Sequence, residues 1–110
     1  MPKEIFESST RNAGDYAGVF ERDNETSYFY LFNLNGMPNK KILGAIQIKH
    51  DIFEKTNSHA AVKWNRAQTK VALIFDGNAI AMFSVPNGKS YGSVFTPVLL
   101  APIPSDQSFS

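Results

Sequence analysis

Turn-forming residues interrupt this chain at short, nearly even intervals. Gly14, Asp23-Asn24, Asn35-Gly36, Asn57-Ser58, Asp76-Gly77 and Asn87-Gly88 bracket runs of six to nine residues rich in β-branched and aromatic types. Runs of that length suit strands and are too short for the amphipathic crossover helix that a parallel sheet needs. The pattern predicts an all-β, mostly antiparallel fold, a compact β-sandwich or meander sheet of about six or seven strands with at most one or two short helices. Candidate strands are 16–21, 26–33, 41–49, 61–65, 69–75, 78–85 and 90–96.

The second half reads as consecutive hairpins. Asp76-Gly77 separates two apolar runs, and a two-residue hairpin loop favours Asp-Gly because its backbone needs positive φ. Pro86-Asn87-Gly88-Lys89 has proline and glycine at suitable turn positions, and Asn65-Arg66-Ala67-Gln68 supplies a four-residue connection. In the run 41–49, Ile42, Gly44, Ile46 and Ile48 share the face expected to meet the core. Leu43, Ala45, Gln47 and Lys49 share the wetter one. The run 26–33 is different, because Phe29 and Leu31 lie on one face while Tyr28, Tyr30 and Phe32 lie on the other. Short helical turns are expected at 51–56, where Asp51 is an N-cap with Glu54 three residues on, and at 3–9, anchored by Ile5 and Phe6.

Composition narrows the function classes. The 110 residues are 43% hydrophobic and 19% charged, which suits one soluble globular domain over 1–96. Residues 97–110 hold prolines at 97, 102 and 104 and read as an extended tail, since each proline removes a ladder donor. A net charge of +1 supplies no field for steering toward nucleic acid or an anionic membrane. Without cysteine there is no disulfide, thiolate zinc site or Cys nucleophile. The first residues lack the basic and apolar regions of a secretory signal, and no run of eighteen apolar residues occurs, so a cytoplasmic location is expected.

Few residues suggest chemistry. His50 and His59, with Asp51, could surround a divalent metal, but a loop braces metal ligands poorly. Glu21, Asp23 and Glu25, with Asp15 upstream, gather near the first expected hairpin turn, where carboxylates can divide acid and base roles. Water at a polar turn screens them alike, and Asp23-Asn24 is ordinary turn chemistry. No Gly-x-Ser-x-Gly elbow is present, and Gly88-Lys89-Ser90 lacks the upstream glycine of a phosphate loop, since position 83 is phenylalanine. No cofactor and no metal is therefore expected, and a conventional enzyme is disfavoured. The competing readings are a small hydrolase or metal-dependent enzyme using Asp23, Glu25 or His50, and a weak nucleic-acid binder using Lys63, Trp64 and Arg66. Trp64 next to Lys63 on a strand is expected to face the core.

Aromatic residues make up 13% of the chain. Most fill the core of a small sandwich, but such a sandwich covers only the inner face of each sheet. Tyr28, Tyr30 and Phe32 are then either covered by the terminal segments or left as an aromatic patch, and such patches mark association surfaces. The expected function is a non-enzymatic module that binds a protein partner or itself as a homodimer. A toxin neutralised by a small immunity protein is one heterologous arrangement that fits the size.

Several segments also resemble a known family. Val19-Phe-Glu-Arg-Asp-Asn-Glu-Thr-Ser-Tyr-Phe-Tyr30, Ile42-Leu-Gly-Ala-Ile-Gln-Ile48, Val62-Lys-Trp-Asn65 and Val71-Ala-Leu-Ile-Phe-Asp-Gly77 resemble a small bacterial family of uncharacterised proteins, domain of unknown function 2251. The resemblance spans about residues 17–95 and implies a compact bacterial cytosolic domain with no established activity. Relatives have a His-Ala-Val-Phe-Asp-like segment where this chain has Ile80-Ala-Met-Phe-Ser84, so the polar positions of that pattern are Ile80 and Ser84 here.

Overall fold

The structure, a computed structural model, describes residues 5–22, 26–36, 41–48, 60–75, 77–85 and 87–92. Among these residues eight strands make two four-stranded antiparallel sheets, each with its strands in chain order. The first sheet contains β1 (Ile5–Thr10), β2 (Tyr16–Arg22), β3 (Ser27–Asn33) and β4 (Ile42–Gln47). The second contains β5 (Ala60–Trp64), β6 (Lys70–Phe75), β7 (Asn78–Ser84) and β8 (Ser90–Gly92). No described residue is helical. The all-β expectation holds, with one strand more than the seven candidate runs.

That extra strand is β1, where a helical turn was expected over 3–9. The segment pairs along its whole length with β2, from Ile5 opposite Arg22 to Thr10 opposite Ala17. Ser8, Ser9 and Thr10 hold a helix poorly, and the ladder offered by β2 satisfies the backbone instead. The other expected helical turn, at 51–56, and the tail 97–110 lie outside the described residues.

The sheets pack face to face. Phe20, Phe29, Leu31, Ile46 and Ile48 of the first meet Val62, Trp64, Val71, Leu73, Phe75 and Phe83 of the second in one core. Two ring pairs bridge the layers: Phe20 meets Phe75 edge-on at 5.6 Å, and Phe29 meets Phe83 at 5.3 Å. Each such pair adds about 0.5–1.5 kcal/mol beyond area burial. Between these pairs the layers interlock. Gly18, Leu31 and Gly44 stand side by side across β2, β3 and β4. A Cβ at Gly18 would lie 2.6 Å from Val71 Cγ2, and one at Gly44 would lie 2.7 Å from Phe83 Cε1. Glycine therefore leaves hollows in the first sheet that the paired Val71 and Phe83 of the second sheet fill.

Two irregularities change which side chains face inward. Between Leu31 and Phe32 the register moves from Gly44 to Ile42, leaving Leu43 as an extra residue in β4. Ile42 thereby joins the face of Phe32 and is 54% exposed, whereas strict alternation placed it in the core with Ile46. A matching shift between Leu73 and Ile74 leaves Ile80 as the extra residue of β7, and it is buried. The β6–β7 hairpin is as tight as its Asp-Gly implies, with Phe75 opposite Asn78 and Gly77 at φ +85°.

Candidate functional site

On β3 the side chains alternate as the sequence implies. Phe29 and Leu31 are fully buried, and Tyr28, Tyr30 and Phe32 on the outer face are each half-buried. The outer rings contact one another along the strand. Tyr28 stacks on Tyr30 with centroids 5.8 Å apart and planes 18° apart. Tyr30 meets Phe32 edge-on at 6.1 Å. Residues two apart on a strand lie about 7 Å from each other, so contact requires the rings to lean together. Their cross-strand neighbours are small or slender: Val19 and Ala45 beside Tyr30, Ala17 and Ile42 beside Phe32, Glu21 and Gln47 beside Tyr28. Only Glu21 among them carries charge. Phe6, opposite Glu21 on β1, extends the face and is 63% exposed. The result is an aromatic ladder on the outer side of the first sheet, with Ala17 and Val19 buried beside it.

A second constellation occupies the end of the sandwich where the β1–β2 and β5–β6 turns meet. Arg11 donates from Nε to the carbonyl of Gln68 at 2.7 Å and from Nη1 to Asp15 Oδ2 at 2.9 Å. The amide of Asn12 donates to Gln68 Oε1 at 2.9 Å. Gln68 stands at φ 60°, a left-handed conformation unusual for a residue with a side chain. Asn65 closes its own turn, its side-chain oxygen accepting from the amides of Thr69 at 2.8 Å and Lys70 at 3.0 Å. These contacts tie one sheet to the other. The Arg11–Asp15 pair is about a quarter exposed on each side and, screened by water, contributes under about 1 kcal/mol. Arg11 and Gln68 bond to each other across the two turns, so the arrangement is a clasp between the sheets.

Asp15 belongs to this clasp. Of the acidic group with Asp15 upstream, Asp15 precedes β2 and Glu21 stands near the far end of that strand. The first hairpin turn is the one between β1 and β2, where the sequence marks a turn at Gly14 but not the strand before it. Asp23, Glu25, His50 and His59 lie outside the described residues. Among the described residues no group of three or more His, Asp or Glu is arranged to hold a metal ion.

The cationic alternative loses its platform. Trp64 is 4% exposed, and its indole N–H donates to the carbonyl of Ser9 at 3.0 Å, which joins β5 to β1. A ring held in the core has no face to offer a base, and only Lys63 and Arg66 remain exposed. Ile80 and Ser84, the positions singled out by the resemblance, are structural as well. Ile80 packs in the core, and Ser84 Oγ donates to Asn87 Oδ1 at 2.6 Å to close the β7–β8 turn.

The clasp had only a partial signature in the sequence. Arg11 and Asp15 stand four apart around Gly14, which marks a turn, but nothing local distinguishes Gln68 as a left-handed residue. No described helix is long and apolar enough to cross a membrane. No curated protein and no solved structure matches the chain. A family description does match, over residues 1–101, and it agrees with the segments singled out in the sequence. The chain belongs to the family described as "Uncharacterized protein conserved in bacteria (DUF2251)".

Proposed function

We propose that this chain is a non-enzymatic protein-binding module of the bacterial cytosol, and that it meets its partner through the outer face of the first sheet. One observation carries this reading: Tyr28 stacked on Tyr30 and Phe32 edge-on to Tyr30, half-buried on a face where Phe6 and Ile42 stand more than half exposed. Rings already ordered by one another lose little side-chain freedom on binding, which makes Tyr and Phe effective anchors. Their low-charge surroundings suit an apolar protein surface.

The test uses a photo-crosslinking amino acid at position 6, beside the ladder, in the living bacterium. A discrete protein adduct is expected, and Tyr28→Ser with Tyr30→Ser is expected to abolish it. The same pair of substitutions is expected to lower the melting temperature by less than about 8 °C. If the double variant unfolds instead, or if the adduct survives it, the ladder is not a contact surface.

A further inference from the structure

The outer strand β4 lies next to the ladder and differs from the opposite edge of its sheet. β4 is the outermost strand of the first sheet among the described residues. The amide of Ile48 donates to the carbonyl of Ser27 at 2.9 Å. In an antiparallel ladder, bonded and non-bonded pairs alternate. From that contact, the Ile46–Phe29 and Gly44–Leu31 pairs are bonded, while the Gln47–Tyr28 and Ala45–Tyr30 pairs are not. Ala45 and Gln47 therefore aim their N–H and C=O groups away from β3, out of the sheet. Both residues are exposed.

Natural edges are usually protected by charge, proline or covering segments. β1, the other edge, holds Glu7, and Trp64 of β5 bonds to its Ser9 carbonyl. The six residues of β4, Ile-Leu-Gly-Ala-Ile-Gln, include neither a charge nor a proline. Among the described residues, three of the four large exposed hydrophobic ones, Leu34, Ile42 and Leu43, belong to β4 or to the turn that leads into it. The bulge at Leu43 kinks only the first part of the strand and leaves residues 44–47 in regular register.

We propose that β4 pairs antiparallel with β4 of a second copy, through the outward backbone groups of Ala45 and Gln47. This rests on the binding-module reading and deepens it: pairing two edges joins two first sheets into one of eight strands and places both aromatic ladders on a single continuous face. A second copy is the occupant favoured by charge and geometry. An antiparallel edge is self-complementary about a twofold axis. Self-pairing of β4 sets no like charges opposite each other, because the strand has none, and the small Ala45 leaves the neighbouring backbone accessible.

Sedimentation velocity decides between the outcomes, with circular dichroism to confirm folding. The unaltered chain is expected to sediment as a dimer at high micromolar concentration. Ala45→Lys with Gln47→Lys and, separately, Ala45→Glu with Gln47→Glu are expected to be monomers that pair when mixed in equal amounts. Tyr28→Ser with Tyr30→Ser is expected to remain a dimer, so loss of the partner adduct and loss of the dimer are separate readouts. Hydrogen exchange on the unaltered chain supplies a check free of substitutions: the amides of Ala45 and Gln47 gain protection as concentration rises. A monomer at millimolar concentration overturns the proposal. So does a dimer that the lysine pair leaves intact, or amides at 45 and 47 whose exchange is independent of concentration.

Discussion

In the first sheet, rings stand on both sides of β3: Phe29 inward, Tyr28, Tyr30 and Phe32 outward. In the second sheet Trp64, Phe75 and Phe83 all belong to the core, while Ala72 and Met82 occupy neighbouring outward positions on β6 and β7 and are fully buried. The two meanders share a strand order and differ in how they divide bulk between faces. At the interface, Gly18 and Gly44 make the first sheet the hollow partner, and Val71 and Phe83 make the second the filling one. Because the second sheet supplies much of the core's bulk, the first can place aromatic mass outside without leaving the interior empty. A ring's position in the fold, not its residue type, decides whether it holds the sandwich together.

The largest effect is expected from the two faces of β3. Phe29→Ala empties a fully buried site against Phe83 and is expected to cost about 3–5 kcal/mol in urea unfolding. Tyr30→Ala, one residue away on the ladder, is expected to cost about 1 kcal/mol or less. Equal losses would mean that the outer face is core after all.

Gly18→Ala tests the hollow directly and is expected to cost about 1–3 kcal/mol, since the stiff Val71 side chain cannot swing clear. Val71→Ala made together with it is expected to recover part of that loss, giving a coupling of at least about 0.5 kcal/mol in a double-mutant cycle. Strict additivity would break the account of interlocking layers.

Trp64→Phe keeps much of the ring burial but removes the indole donor to Ser9, leaving that carbonyl without it. A loss of about 1 kcal/mol is expected, with faster amide exchange along β1 than along β3. The smallest effect is at the clasp. Gln68→Gly relieves the left-handed backbone and Gln68→Ala does not, so glycine is expected to be the more stable of the two by about 1 kcal/mol. Both lose the bond from Asn12, which cancels in the comparison.

Much of this fold was legible locally. Asp76-Gly77 and the run before it specify a hairpin through backbone preference alone, and alternation on β3 assigned every one of its rings to the correct face. Alternation misplaced Ile42 because a bulge inserts one residue without any mark in composition, and every position beyond it changes side. β1 was missed for a related reason: Ser8, Ser9 and Thr10 carry little pattern of their own, and only the partner β2 makes the segment a strand. Of the candidate site, Tyr28, Tyr30 and Phe32 were readable as an outer stripe, but the ring contacts along it were not. The clasp was almost invisible, because Arg11 and Gln68 are fifty-seven residues apart and meet only once both sheets exist.

The chain-order arrangement of both sheets bears on how the molecule comes together. Each meander is one uninterrupted stretch of polypeptide, so its hairpins close over short loops and zip quickly. Neither can hide its inner face alone, so docking of the two layers is the step that gains most from water's exclusion. A cut between Ile48 and Ala60 would sever none of the described ladders and leave each fragment with the described strands of one sheet. Two such fragments supplied separately would find each other through the glycine hollows and the rings that fill them. Recovery would then depend on their concentration, turning an intramolecular collapse into a second-order association.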